Sequence, residues 1–216
     1  MFKLPTVYPI TDAPSSGLTL VEQVEEFIAG GATLIQLREK SASPRDLYAA
    51  SEKALKAAHR KGVKVIINDR VDIALCTGAD GVHLGQEDIP PSAARKVLGS
   101  EAIIGFSTHS IEQAIHAVRT YPIDYIALGP IFKTTTKQDP DPVVGPDMIT
   151  DLRLAVGAFP LVAIGGITVE RVVDVLKAGA DSAALIGELF RDGPTGIAGR
   201  IDHVISQTSL DNASDC

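Results

Sequence analysis

The stretch Gly179-Ala180-Asp181-Ser182-Ala183-Ala184-Leu185-Ile186 begins where a helix-period segment ends and runs straight into an apolar strand. The same step recurs at Gly30-Gly31-Ala32-Thr33 and at Gly78-Ala79-Asp80, each time between an amphipathic segment and a β-branched run. A helix C-terminus needs a residue tolerant of left-handed backbone before the chain turns into a sheet, and glycine supplies it. One βα unit used many times is the reading.

Outward from these steps, strands are predicted at Val7–Thr11, Thr33–Arg38, Lys64–Asn68, Gly81–Leu84, Ala102–Phe106, Tyr125–Leu128, Leu161–Ile164 and Ser182–Ile186. Apolar residues between them recur at helical spacing, as in Ile111, Ala114, Ile115 and Val118, or Val169, Val172, Val173 and Leu176. Ser43 before Pro44 reads as a helix start, and Ser110 with Gln113 as a capping box that starts another. The strands look buried on both faces, as in a parallel sheet covered by helices. Eight such units predict a single (β/α)8 TIM barrel over residues 1–206. A doubly wound open sheet is the alternative, but no Gly-x-Gly-x-x-Gly follows the first strand. Residues 207–216 are polar and predict a frayed C-terminal tail.

Composition narrows the function. The 216 residues are 45% hydrophobic and 22% charged, which excludes a disordered chain. A formal charge of −7 disfavours a nucleic-acid partner, so an anionic ligand must be held by a local cluster of cations. Apolar runs are too short for a membrane span, and Met1-Phe2-Lys3-Leu4-Pro5 lacks signal-peptide layout, so a cytoplasmic address is expected. Cys76 and Cys216 offer neither a disulfide framework nor metal-ligand spacing.

In a barrel the chemistry sits where strands end. With a period of two, Gln36, Arg38 and Lys40 share one face of the second strand's end while Leu37 points away; solvated charges at a strand edge are the alternative. Asp69 follows the third strand and Asp88 the fourth, and carboxylates on adjacent loops can share Mg2+. Alternatively, Asp69 caps the next helix and Asp88 starts the turn before Pro90-Pro91. His83 reads as a satisfied core histidine, Ser107 as a donor to a polar ligand, and His109 as a loop histidine placed for proton transfer. The long polar loop from Lys133 to Gly145 suits a lid or an anion-binding loop, or else a surface excursion. Gly165-Gly166 and Gly187, after strands seven and eight, let backbone N–H groups approach a phosphate.

Taken together, Tyr8-Pro9-Ile10-Thr11-Asp12, Gln36-Leu37-Arg38-Glu39-Lys40, Ile67-Asn68-Asp69-Arg70, the run from Ala79 to Asp88, Gly129-Pro130-Ile131-Phe132, Thr134 to Lys137 and Ala163-Ile164-Gly165-Gly166-Ile167 resemble the thiamine-phosphate synthase family, in family order. The likeness spans residues 5–206, and its most specific parts are Asp80–Asp88 and the Gln-Leu-Arg-Glu-Lys segment.

The resemblance implies a transferase that joins a hydroxymethylpyrimidine diphosphate to a thiazole phosphate, carboxylated or not, and releases pyrophosphate. It implies that the segment Gln36, Leu37, Arg38, Glu39 and Lys40, with Asn68, Ser107 and Lys137, binds the pyrimidine diphosphate. Among these Arg38, Lys40, Ser107 and Lys137 would carry the catalysis. Asp69 and Asp88 would bind one Mg2+, and Thr134, Thr135, Thr136, Gly166, Ile186 and Gly187 the thiazole phosphate. Lys133 stands where the family often has Pro, and Gly187 where it has Ser. The partners implied are small molecules, with room for a homo-oligomer. A thiazole tautomerase working through His109, a non-catalytic thiamine-phosphate-binding barrel and a phosphosugar epimerase are the competing readings. None of them needs both the diphosphate cradle and the carboxylate pair.

Overall fold

The computed structural model describes residues 2–134 and 141–214. The elements alternate along the chain: β1 (Val7–Pro9), α1 (Ala13–Ser16), α2 (Leu20–Ala29), β2 (Leu34–Leu37), α3 (Pro44–His59), β3 (Lys64–Asn68), α4 (Val71–Thr77) and β4 (Gly81–Leu84). There follow α5 (Pro91–Leu98), β5 (Ile103–Thr108), α6 (Ile111–Thr120), β6 (Tyr125–Leu128), α7 (Asp147–Val156), β7 (Leu161–Ile164), α8 (Val172–Lys177), β8 (Ser182–Leu185) and α9 (Ile197–Ser214). All eight predicted strands form. They pair in parallel in the order β1-β8-β7-β6-β5-β4-β3-β2, and an Ile10–Gln36 bridge joins the two ends. Eight parallel strands in a nearly closed barrel ringed by helices are the predicted TIM barrel.

The glycine steps behave as their chemistry requires. Gly78 caps α4 at φ 69, and Gly31, one residue past the cap of α2, takes φ 89. Ser43 accepts from Asp46 N and starts α3. Ser110 accepts from Gln113 N, but the Gln113 side chain reaches one residue farther back than a capping box requires, to His109 N at 2.8 Å.

Strands that read as uniformly apolar in fact alternate between two cores. Tyr8, Leu34, Ile66, Ile103, Tyr125, Val162 and Ala184 fill the barrel interior. Val7, Ile35, Val65, Ile104, Ile126, Leu161 and Ala183 face the helices. β5 runs two residues past its predicted end at Phe106, because Ser107 and Thr108 continue the ladder opposite Ala127 and Leu128. Ser107 is therefore a strand residue and not a loop residue.

The end of the barrel where strands begin carries a repeated clasp. Asp80, Asp124 and Asp181 each stand immediately before an even-numbered strand, and each accepts from a backbone N–H of the preceding strand: Val65, Ile104 and Leu161, all at 2.8 Å. Side chains from the flanking helices meet the same oxygens, His59 at 2.9 Å and Arg95 and Arg153 at 2.7 Å. Arg95 also donates to the carbonyls of Gly99, Ser100 and Pro122, and Arg153 to those of Gly157, Phe159 and Gly179.

α9 continues through the position where a frayed tail is predicted, and Thr208 is buried with its hydroxyl 3.2 Å from that of Thr6. No helix among the described residues is long and apolar enough to cross a membrane.

Candidate active site

Four consecutive strands place a polar residue at the last inward position before the barrel mouth: Gln36 on β2, Asn68 on β3, His83 on β4 and Ser107 on β5. Three of them belong to one buried chain. Gln36 Nε2 donates to Tyr8 Oη at 3.2 Å, and the Tyr8 and Tyr125 hydroxyls lie 3.1 Å apart. Tyr125 Oη is 3.0 Å from His83 Nδ1, and His83 Nε2 is 2.9 Å from Ser107 Oγ. The His83 ring also stacks on Tyr125. Burial pushes the His83 pKa down from 6.5 to about 4 and drives both tyrosines well above their ordinary value. His83 is thus the satisfied core histidine expected of it. Nothing local in the sequence announces Tyr8 and Tyr125 as its partners; each reads only as a tyrosine within an apolar strand.

Past the end of β2 the chain leaves the ladder, and each cation finds its own holder. Arg38 Nη1 is 3.5 Å from Asp12 Oδ1, and Lys40 Nζ is 3.6 Å from Asp69 Oδ2. Thr11 is fully buried and bonds the Arg38 backbone. The Leu37 side chain lies in the outer core, away from the mouth. Glu39 turns back onto Ser41, accepting from its N–H and its hydroxyl.

Asp69 does not cap α4, whose N-cap is Arg70 with no side-chain bond. It sits at the centre of a tight turn at φ 62, with Arg70 N donating to Asn68 O at 2.7 Å. A non-glycine residue at positive φ is strained by roughly 1–3 kcal/mol, and such strain concentrates at functional sites. The turn brings the Asp69 carboxylate against that of Asp88; partial burial and this like charge raise its pKa, with Lys40 opposing. Asp88 also closes its own turn, accepting from Gly85 N at 2.7 Å. Among the described residues no group of three or more His, Cys, Asp and Glu could hold a metal ion. The Asp69–Asp88 pair still fits a hard divalent cation, since Mg2+ is usually held by one or two carboxylates with substrate phosphate and water.

On the far side of the mouth, Gly165 and Gly166 have φ 102 and 62. A Cβ on Gly165 would stand 2.6 Å from Pro130 Cα, and one on Gly166 would run into the Lys133 carbonyl. Their glycine character is thus also required by the neighbouring loop, where Ile131 N and Phe132 N donate to Ile164 O and Gly165 O, both at 2.9 Å. Ile186 is half-buried and Gly187 exposed at the end of β8, and Thr134 is half-buried at the start of the long loop. Thr135, Thr136 and Lys137 lie outside the described residues. His109 Nδ1 is 2.7 Å from Gly129 O, and its Nε2 is 3.5 Å from Asp141 Oδ2.

Residues 7–189 match the family described as Thiamine monophosphate synthase. The thiamine-phosphate synthase of Koribacter versatilis is 45% identical over 195 residues, which cover 88% of this chain and 91% of that protein. The thiamine-phosphate synthase of Chloroflexus aurantiacus is 41% identical over 204 residues, 94% and 93% of the two chains. The solved thiamine phosphate pyrophosphorylase from Pyrococcus furiosus superposes with a TM-score of 0.81 at 32% identity, covering 94% of this chain and 96% of its own. With its barrel and its strand-end residues in place, the chain belongs to the thiamine-phosphate synthase family and is an enzyme of the transferase class.

Proposed function

We propose that the protein joins a hydroxymethylpyrimidine diphosphate to a thiazole phosphate, forming thiamine monophosphate and pyrophosphate. The observation that carries this reading is the cluster at the mouth: Asp69, strained at φ 62, lies against Asp88 with Lys40 at 3.6 Å. Two carboxylates repel a bare diphosphate, so the pair beside Lys40 suits a diphosphate that arrives with a divalent cation better than it suits a neutral ligand. Asp69 and Asp88 would hold Mg2+, which when bound neutralises charge on the departing diphosphate.

Arg38, Lys40, Asn68 and Lys137 bind the diphosphate oxygens, and Gln36 and Ser107 hold the aminopyrimidine ring. The bond between the pyrimidine methylene carbon and the diphosphate oxygen breaks, and its electron pair leaves with pyrophosphate. The ring amino group stabilises the cationic methylene until the thiazole nitrogen lone pair closes on it. The thiazole phosphate rests on the backbone of Gly166, Ile186 and Gly187, and Thr134, Thr135 and Thr136 line its side. A carboxylated thiazole loses carbon dioxide after the new bond has formed. The chain needs positioning and charge rather than a nucleophile or strong base.

Pyrophosphate release tests the reading. Release that requires both substrates together and stops when Mg2+ is chelated is the expected result. Release from the pyrimidine diphosphate alone at the same rate, or no release from the complete mixture, would overturn it.

A further inference from the structure

The buried chain through the barrel interior has a direction. A ring buried among hydroxyls is neutral, so His83 has one N–H to give and one lone pair to offer. Both tyrosine hydroxyls are buried, and each has one proton to donate. Gln36 Nε2 donates to Tyr8 Oη, so the Tyr8 proton is satisfied only by the Tyr125 oxygen. The Tyr125 proton then goes to His83 Nδ1, and His83 carries its own proton on Nε2, facing Ser107 Oγ. Reversing any single link leaves either a buried proton without an acceptor or, at the Gln36–Tyr8 link, the Tyr8 and Tyr125 oxygens facing each other with no proton between them, at a cost like that of a lost hydrogen bond. The whole chain reverses only as a unit, with the Gln36 amide turned over.

We propose that this chain couples the two ends of the site, so that Ser107 offers a donor only when Gln36 offers its carbonyl oxygen, with Tyr8, Tyr125 and His83 acting as positioning residues. The ligand class it selects is a planar heteroaromatic ring that shows an acceptor to Ser107 and a donor to Gln36. An aminopyrimidine has that pattern in its ring nitrogen and amino group. The matching oxopyrimidine reverses both, because its ring nitrogen becomes a donor and its exocyclic oxygen an acceptor. The inference rests on the proposed pyrimidine site and names what sets its specificity.

The fold makes room for this chain at one position. Gly105 lies on β5 below Ser107, and a Cβ there would overlap the Tyr125 ring and hydroxyl and stand 2.5 Å from His83 Nδ1. Gly105 is thus where the histidine and tyrosine meet.

The test uses the full chain with two probes, the hydroxymethyl aminopyrimidine without its diphosphate and its oxo analogue. Nitrogen NMR of labelled histidine should find the His83 proton on Nε2 in the aminopyrimidine complex. Tyr125→Phe should reduce the amino-over-oxo ratio of dissociation constants by about tenfold, the value of one buried hydrogen bond. Tyr8→Phe, which cuts the chain on the other side of Tyr125, should do the same and serves if Tyr125→Phe does not fold. A proton on Nδ1 in that complex, or an unchanged ratio in the folded variants, overturns the inference. If pyrophosphate release is normal while the ratio is unchanged, the inference alone falls. If the wild-type protein neither binds the aminopyrimidine nor releases pyrophosphate, the proposed function falls and takes the inference with it.

Discussion

The Thr11 hydroxyl holds both backbone polar groups of Arg38, accepting from its N–H at 2.8 Å and donating to its carbonyl at 3.1 Å. The guanidinium is thereby aimed from a fixed point just beyond the end of β2. Thr11→Val keeps the shape and removes both bonds, leaving the Arg38 amide and carbonyl short of partners. A stability loss of about 1–3 kcal/mol is expected in denaturant unfolding. The KM for the pyrimidine diphosphate should rise more than kcat falls, and Thr11→Ser should restore both. Equal kinetics in Thr11→Val and wild type would show that this tether does not position Arg38.

Asp69 gives a prediction in which activity and stability move in opposite directions. Its pKa is raised by partial burial and by Asp88, so without metal its ionised form is disfavoured in the folded chain. A carboxyl with a raised folded pKa contributes stability below its unfolded pKa and loses it as pH rises through the folded value. Asp69→Asn, which tolerates positive φ, should therefore raise the thermal midpoint at neutral pH in Mg2+-free buffer while abolishing turnover. Retention of wild-type turnover at limiting Mg2+ would remove Asp69 from the site.

His83 makes stability depend on acid. Its folded pKa of about 4 lies below the unfolded value near 6.5, so the unfolded chain binds the extra proton first as pH falls. The stability is complete above pH 6.5 and is lost toward pH 4, by about 3 kcal/mol for this group. Denaturant unfolding of wild type and His83→Asn across this range measures it. Their difference should be constant above pH 6.5 and shrink below it; a constant difference throughout would rule out the assignment.

His109 separates coupling from thiazole tautomerisation. Its Nδ1 lies against the Gly129 carbonyl, a role in holding the end of β6. His109→Ala should keep substantial coupling activity, while Lys137→Ala should lose most of it. A tautomerase would show the reverse, losing a general-base effect of roughly 10²–10⁴-fold with His109. Both variants assayed for both reactions decide the matter.

The sequence conveys the barrel because each strand is punctuated by residues whose chemistry admits few alternatives, such as Gly78 ending α4 and Ser43 starting α3. The strand boundaries also place Arg38, Lys40, Asp69 and Asp88 in the loops that follow β2, β3 and β4, although the period of two ends with β2 at Leu37 and does not carry on to Arg38 and Lys40. The links across the barrel are not legible in this way. Tyr8 and Tyr125 are 117 positions apart, and no local pattern announces that their hydroxyls meet. Asp69 shows the same limit: helix-capping chemistry and cation chemistry favour the same residue type, and only the backbone at φ 62 tells them apart.

The aspartate clasps at the base divide the barrel into an end that can be edited and one that cannot. Arg95 and Arg153 bind carbonyls in two successive helix-to-strand loops at once, so one inserted residue there would pull acceptors away from a rigid guanidinium fork. No such fork spans the strand-to-helix loops that carry Asp88, Thr134 and Gly166 among the described residues. New substrate preferences can therefore be grafted at the mouth by changing loop length, while the base acts as a gauge block that holds the strand spacing constant.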